Sequence, residues 1–247
     1  MKSLLERYIN GDCEKVYQEI AKLGQDAFLP EYHAEIHQIL EETFKRVAYN
    51  LQIIYDELKA LNYVFNEDPF SAMEEPFAKP FASTDQLLLK IQQQLKPFGH
   101  LPLSLHYFYK YVGGVDFTWN YDEQPISWKL ADPLQIYALP DVLEIINNEE
   151  WLEEFEEIFE EEEVSFLHLS SDVYHKDNIS GGLPYSLQLT EKQTIDSKWL
   201  FEANETTFIN YLRICFEYGG FPGMAEQIND QGFIHYLNKI KPQLQPI

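Results

Sequence analysis

Cysteine is scarce in this chain of 247 residues: Cys13 and Cys215 are the only two, one in each half. Neither stands at metal-ligand spacing, and the two read as free thiols of a reducing cytoplasm rather than as a disulfide. No apolar run approaches the roughly 20 residues that a membrane-spanning helix needs. The opening Met1-Lys2-Ser3-Leu4-Leu5-Glu6-Arg7 has no apolar signal core and carries charge from the start. These features predict a cytoplasmic protein. Basic residues are also few, 18 Lys and Arg against 41 Asp and Glu, for a formal net charge of −23. Such a surface repels phosphate, which excludes nucleic acid and anionic membrane as natural partners. A basic protein is the natural complement, and a soluble acidic protein with no special partner is the plain alternative.

The marks of catalysis are missing as well. No Ser, Cys or Thr lies in a Gly-x-Ser-x-Gly elbow. The three Gly-Gly pairs lack the Gly-x-Gly-x-x-Gly or Gly-Lys-Ser/Thr context that cradles phosphate, and each reads as a helix stop or turn with positive φ. His175, Asp177 and Ser180 are close in sequence, but Asp177, Asn178 and Ser180 are turn formers before Gly181-Gly182. His33 and His37 have the four-residue spacing of two ligands on one helical face, and Glu41 extends the line. No further Cys or His completes a site, so they read as a solvated face. We expect no catalytic residues, no metal and no cofactor.

What the chain has is apolar patterning, with 45% hydrophobic and 15% aromatic residues, enough to exclude general disorder. Residues 1–66 read as a helical segment. Ser3 and Asp12 cap two short helices, and Pro30 starts a long one. Ile36, Leu40, Phe44, Val47, Leu51, Ile54, Leu58 and Leu61 follow at steps of three and four, the cleanest period in the chain. A stripe of that length must meet either the rest of the chain or a second copy, and the intramolecular solution is favoured, with a monomer. Residues 67–83 repeat Pro-Phe three times. We expect a strap without helix or sheet, with Phe70, Phe77 and Phe81 buried between the two halves. Residues 84–247 alternate helices with strand-like runs at Val115–Tyr121, Pro125–Trp128, Leu134–Leu139, Val164–Leu169, Tyr185–Leu189 and Lys198–Phe201. The pattern predicts an α+β domain, an antiparallel sheet with flanking helices.

The joint of that domain is Leu101-Pro-Leu-Ser-Leu-His-Tyr-Phe-Tyr-Lys-Tyr-Val-Gly-Gly-Val-Asp-Phe117, a helix over 101–112 delivered into a strand. With Lys176-Asp-Asn-Ile-Ser-Gly-Gly-Leu-Pro-Tyr185 and Tyr211-Leu-Arg-Ile-Cys-Phe-Glu-Tyr-Gly-Gly-Phe-Pro-Gly223, it resembles the SUKH superfamily over roughly residues 84–225. That group includes the yeast glucan-synthesis regulators of the Smi/Knr type and bacterial immunity proteins that neutralise toxins. The resemblance implies a SUKH-like α+β fold and a non-catalytic protein-binding role, as an immunity-type protein or as a regulator or scaffold. An enzyme with a site between the two parts is the rival from another class.

One stretch gives a binding role a location. Residues 149–163 hold ten Glu in fifteen positions, interleaved with Trp151, Leu152, Phe155, Ile158 and Phe159. The spacing predicts a helix docked by those five apolar residues. Glu153, Glu154, Glu156, Glu157 and Glu160 then crowd the outer face, where like charges at i,i+3 and i,i+4 repel. They are the candidate contact residues for a basic partner.

Overall fold

The structure, a computed structural model, describes residues 2–123, 128–227 and 229–247. The strand expected at Pro125–Trp128 lies outside them, save Trp128. Two short helices open the chain, α1 (Leu4–Ile9) and α2 (Cys13–Leu23). Ser3 caps α1 in a full capping box with Glu6, as its sequence predicts. Asp12 stands at the start of α2 but does not cap it through its side chain. Its carboxylate instead pairs with Arg7 at 2.7 Å, and Arg7 also reaches Glu19, so the guanidinium ties the two helices together.

Helix α3 (Pro30–Ala60) begins at its proline and runs 31 residues. Its stripe from Ile36 to Leu58 is buried to 1% exposure or less, inside the same chain. Phe44 lies against Phe108 and Phe208, with ring centroids 6.3 and 6.4 Å away. On another side Tyr8 and Tyr17 meet edge to face, and both phenols share the Thr43 hydroxyl. Gln245 and Pro246 are also fastened here. Asn50 exchanges two hydrogen bonds of 2.8 Å with the Gln245 backbone, and Arg46 donates to the Pro246 carbonyl.

After α3 come β1 (Phe77–Ala78), α4 (Thr84–Leu95), α5 (Leu103–Tyr111), β2 (Gly114–Asp116) and β3 (Gln135–Ile136). The three strands form an antiparallel sheet in the order β1-β2-β3, with Val115 opposite both Phe77 and Ile136. Next are α6 (Leu139–Ile146), α7 (Glu149–Glu162), β4 (Phe166–Ser170), α8 (Val173–Lys176), β5 (Tyr185–Gln188) and β6 (Trp199–Leu200). The later strands make a second antiparallel sheet, β4-β5-β6. Tyr137 N donates to the Leu169 carbonyl and links the two sheets. Helices α9 (Phe208–Glu217) and α10 (Gln231–Ile240) complete the chain. The fold is α+β, and the buried apolar side chains join in one cluster that includes α3 and both sheets.

Three expectations are corrected. The strand at Val115–Tyr121 is only Gly114–Asp116, because Asp116 turns back to accept from Thr118 N and Oγ1, and Trp119 keeps a single bridge to Phe65. The strap is not free of sheet, since Phe77–Ala78 is the edge strand β1. Phe77 and Phe81 are half-buried, but Phe70 is 89% exposed. Finally, Gly113-Gly114 and Gly181-Gly182 do not take positive φ, although Gly219 and Gly220 do, at 60° and 94°. Gly113 is needed for space: a Cβ there would meet the Lys79 carbonyl oxygen at 2.0 Å, so the close approach of strap and strand admits only glycine.

Candidate protein-binding surface

Helix α7 starts because Asn148 accepts the Glu150 N–H at 3.1 Å, and Glu149 and Glu150 place negative charge on the positive end of the helix dipole. It ends at Glu163, in the left-handed region at φ 55°. Trp151, Phe155 and Ile158 are buried. Trp151 meets Phe98 edge to face at 5.6 Å, and Phe155 packs between Phe98 and Phe166 at 4.6 and 5.0 Å. The docked face is narrower than its apolar residues imply. Leu152 and Phe159, expected to dock, are 41% and 44% exposed. They stand seven residues apart, two turns of one helical flank.

The five candidate glutamates divide. Glu153, Glu156, Glu157 and Glu160 are exposed, and among the described residues none has a cationic partner. Glu154 is not on the outer face. It is half-buried and lies 3.3 Å from Nε2 of His168, a buried β4 residue whose Nδ1 bonds Ser186 Oγ at 2.6 Å. The neighbouring His168 imidazole holds the Glu154 carboxyl below its ordinary range against the opposing effect of burial. Glu154 therefore anchors the helix to the sheet.

A second acidic region lies along the strap. A cleft of about 890 Å³ is lined by Tyr55, Lys59, Glu67, Asp68, Glu75 and Asp116 among others. A smaller one of about 330 Å³ shares Asp68 and Asp116 with it and adds Asp141 and Glu144. Its lining reaches Asn148, the cap of α7, so the acidic surface continues from strap to helix. Asp141 accepts from Ser71 Oγ and Ala72 N, which fastens the strap beside the bare Phe70. Burial raises the pKa of both Asp116 and Asp141.

Neither a family model, a curated protein nor a solved structure matches the chain.

The other sequence candidates resolve into local contacts. His33 and His37 lie ring against ring at 4.1 Å, His37 bonds the Tyr107 hydroxyl at 2.6 Å, and Glu41 pairs with Lys45. Among the described residues no group of three or more His, Cys, Asp and Glu is placed to hold a metal ion, and no helix is long and apolar enough to cross a membrane. His175 pairs not with Asp177 but with buried Asp172, which caps α8, while Ser180 is exposed. Lys176 is buried against Asp132 at 2.7 Å and lies over the Tyr185 ring. Sequence spacing carried no signal for that pair, 44 residues apart, nor for Glu154 and His168.

Proposed function

We propose that this chain is a non-catalytic protein-binding module that receives a basic protein on the exposed face of α7, in the manner of the immunity-type SUKH proteins it resembles. One observation carries the reading: Glu153, Glu156, Glu157 and Glu160 are held on a docked helix with no cationic partner among the described residues, beside exposed Leu152 and Phe159. An apolar centre with a charged rim suits a protein interface. The charges act mainly on encounter, since steering reaches over a Debye length of about 8 Å at physiological salt. The same reading has the chain work in the cytoplasm, which two buried free thiols favour. A regulator or scaffold would use the face equally, and the identity of the captured partner separates the two.

The test is a rate. A partner captured from the native host by the wild type is purified, and its association is followed at low and high salt. Replacing Glu153, Glu156, Glu157 and Glu160 together by Gln is expected to slow association several-fold and to flatten its salt dependence. Wild-type association of that variant at low salt would show that the glutamates are only a solvated face.

A further inference from the structure

Phe70, at 89%, is the most exposed large apolar side chain among the described residues, yet its turn is tied down. Asp68 Oδ1 accepts the Phe70 N–H at 2.9 Å, and Asp141 of α6 accepts from Ser71 Oγ and Ala72 N at 3.1 and 2.8 Å. The ring is therefore held out in water by bonds on both sides of it. Asp68, Ser71 and Met73 line both strap clefts, so the segment that carries Phe70 is the ridge between them. In the larger cleft Phe65 is half-buried beside Tyr55 and Tyr63, with ring centroids 5.5 and 4.9 Å away. Pro69, Met73 and Pro76 add apolar surface. This wall already seats one cation, since Lys59 Nζ lies 4.9 Å from the Tyr55 ring centre. Among the described residues Lys59 is the only base that lines either cleft. The carboxylates can be reached from solvent: Glu67, Asp68, Glu74, Glu75 and Glu144 are exposed, and among the described residues none forms an ion pair.

An aromatic wall beside unpaired carboxylates suits a guanidinium better than an ammonium, because the planar fork stacks on rings and pairs with a carboxylate through two bonds. A bare ring on a fixed turn suits an apolar cover, since aromatic anchors carry much of the binding energy of interfaces. We propose that the strap ridge binds an extended, arginine-bearing peptide segment of a partner protein. An apolar side chain of that segment covers Phe70, and its arginines enter the clefts on either side. A second copy of this chain is a poor occupant, because a surface of net charge −23 meets it with like charge. The site does not include the four exposed glutamates of α7, and neither reading needs the other.

Fluorescence anisotropy of labelled peptides with the full chain tests it, with Gly-Arg-Leu-Arg-Leu-Arg-Gly as the probe. The probe is expected to bind saturably. The same peptide with Lys for Arg should bind several-fold more weakly, and with Ser for Leu about tenfold more weakly at unchanged charge. Phe70→Ser should weaken the Leu peptide about tenfold and leave the Ser peptide within about twofold. General attraction to an acidic chain produces no such coupling. The thermal midpoint of that variant should hold, because the ring is exposed. Glu67→Gln with Glu74→Gln should weaken both peptides several-fold. Replacing Glu153, Glu156, Glu157 and Glu160 by Gln should change neither by more than about twofold, since screening isolates charges farther apart than a Debye length. Absence of saturable binding, equal affinity for the Leu and Ser peptides, or equal weakening by the strap and α7 substitutions would each overturn the proposal. A loss confined to the α7 variant would also overturn it, by placing the peptide on that helix.

Discussion

Helices α3 and α7 are written in the same apolar spacing and end in different surroundings. In α3 the stripe is covered by α1, α5, β1 and α10, with Tyr17 of α2 reaching Thr43, and its residues from Ile36 to Leu58 reach essentially zero exposure. In α7 the cover comes from α6, Phe98 and β4, and only Trp151, Phe155 and Ile158 are enclosed. An amphipathic pattern specifies which side of a helix is adhesive. How much of that side is used depends on how many elements arrive to cover it. The uncovered remainder on α7, Leu152 and Phe159, is where a partner is proposed to bind.

The contrast can be broken most forcefully in α3. Phe44→Ala removes a ring that meets Phe108 and Phe208 at the centre of the core. It should cost about 3–5 kcal/mol in denaturant unfolding. A loss below about 1 kcal/mol would show that the α3 seam packs loosely.

A smaller effect sharpens the picture of α7. Glu154 has a depressed pKa in the folded chain because of its contact with His168. Its contribution is therefore present above the ordinary value of 4.5 and is lost as pH falls through the lowered folded value. Being 40% exposed, the pair is screened and adds about 1 kcal/mol at most. Glu154→Gln should be less stable than wild type near about pH 6 and equal to it once the pH lies below the folded value. A stability gap that persists at that acid extreme would mean that Glu154 acts through packing, not charge.

The smallest effect comes from the open flank. Leu152→Ser with Phe159→Ser should leave unfolding within about 0.5 kcal/mol of wild type, as surface changes do. A loss of about 2 kcal/mol would show that these side chains are core and would make the two helices alike.

Much of this was readable from residue order. The Ser3–Glu6 capping box, the proline at the start of α3, the α7 boundaries and the glycine stop at 219–220 are local chemistry, decided within one turn of chain. The antiparallel α+β class also followed from local pattern. The alternation of Val115, Phe117 and Trp119 predicts a longer β2 than forms, because the turn by which Asp116 ends the strand leaves that alternation intact. The Pro-Phe repeat marked three aromatics as equals, although Phe70 lies outside and Phe77 pairs in a sheet.

Local spacing thus determined where the helices run, which faces are apolar and where negative charge accumulates, because propensity, capping and periodicity act over a few residues. Contacts between distant residues were decided only by tertiary structure. Glu154 with His168, Lys176 with Asp132, Gly113 against Lys79 and the two strap clefts all depend on how separate elements meet. Chain order leaves no periodic trace of such pairs, since what brings them together is the burial of apolar surface elsewhere.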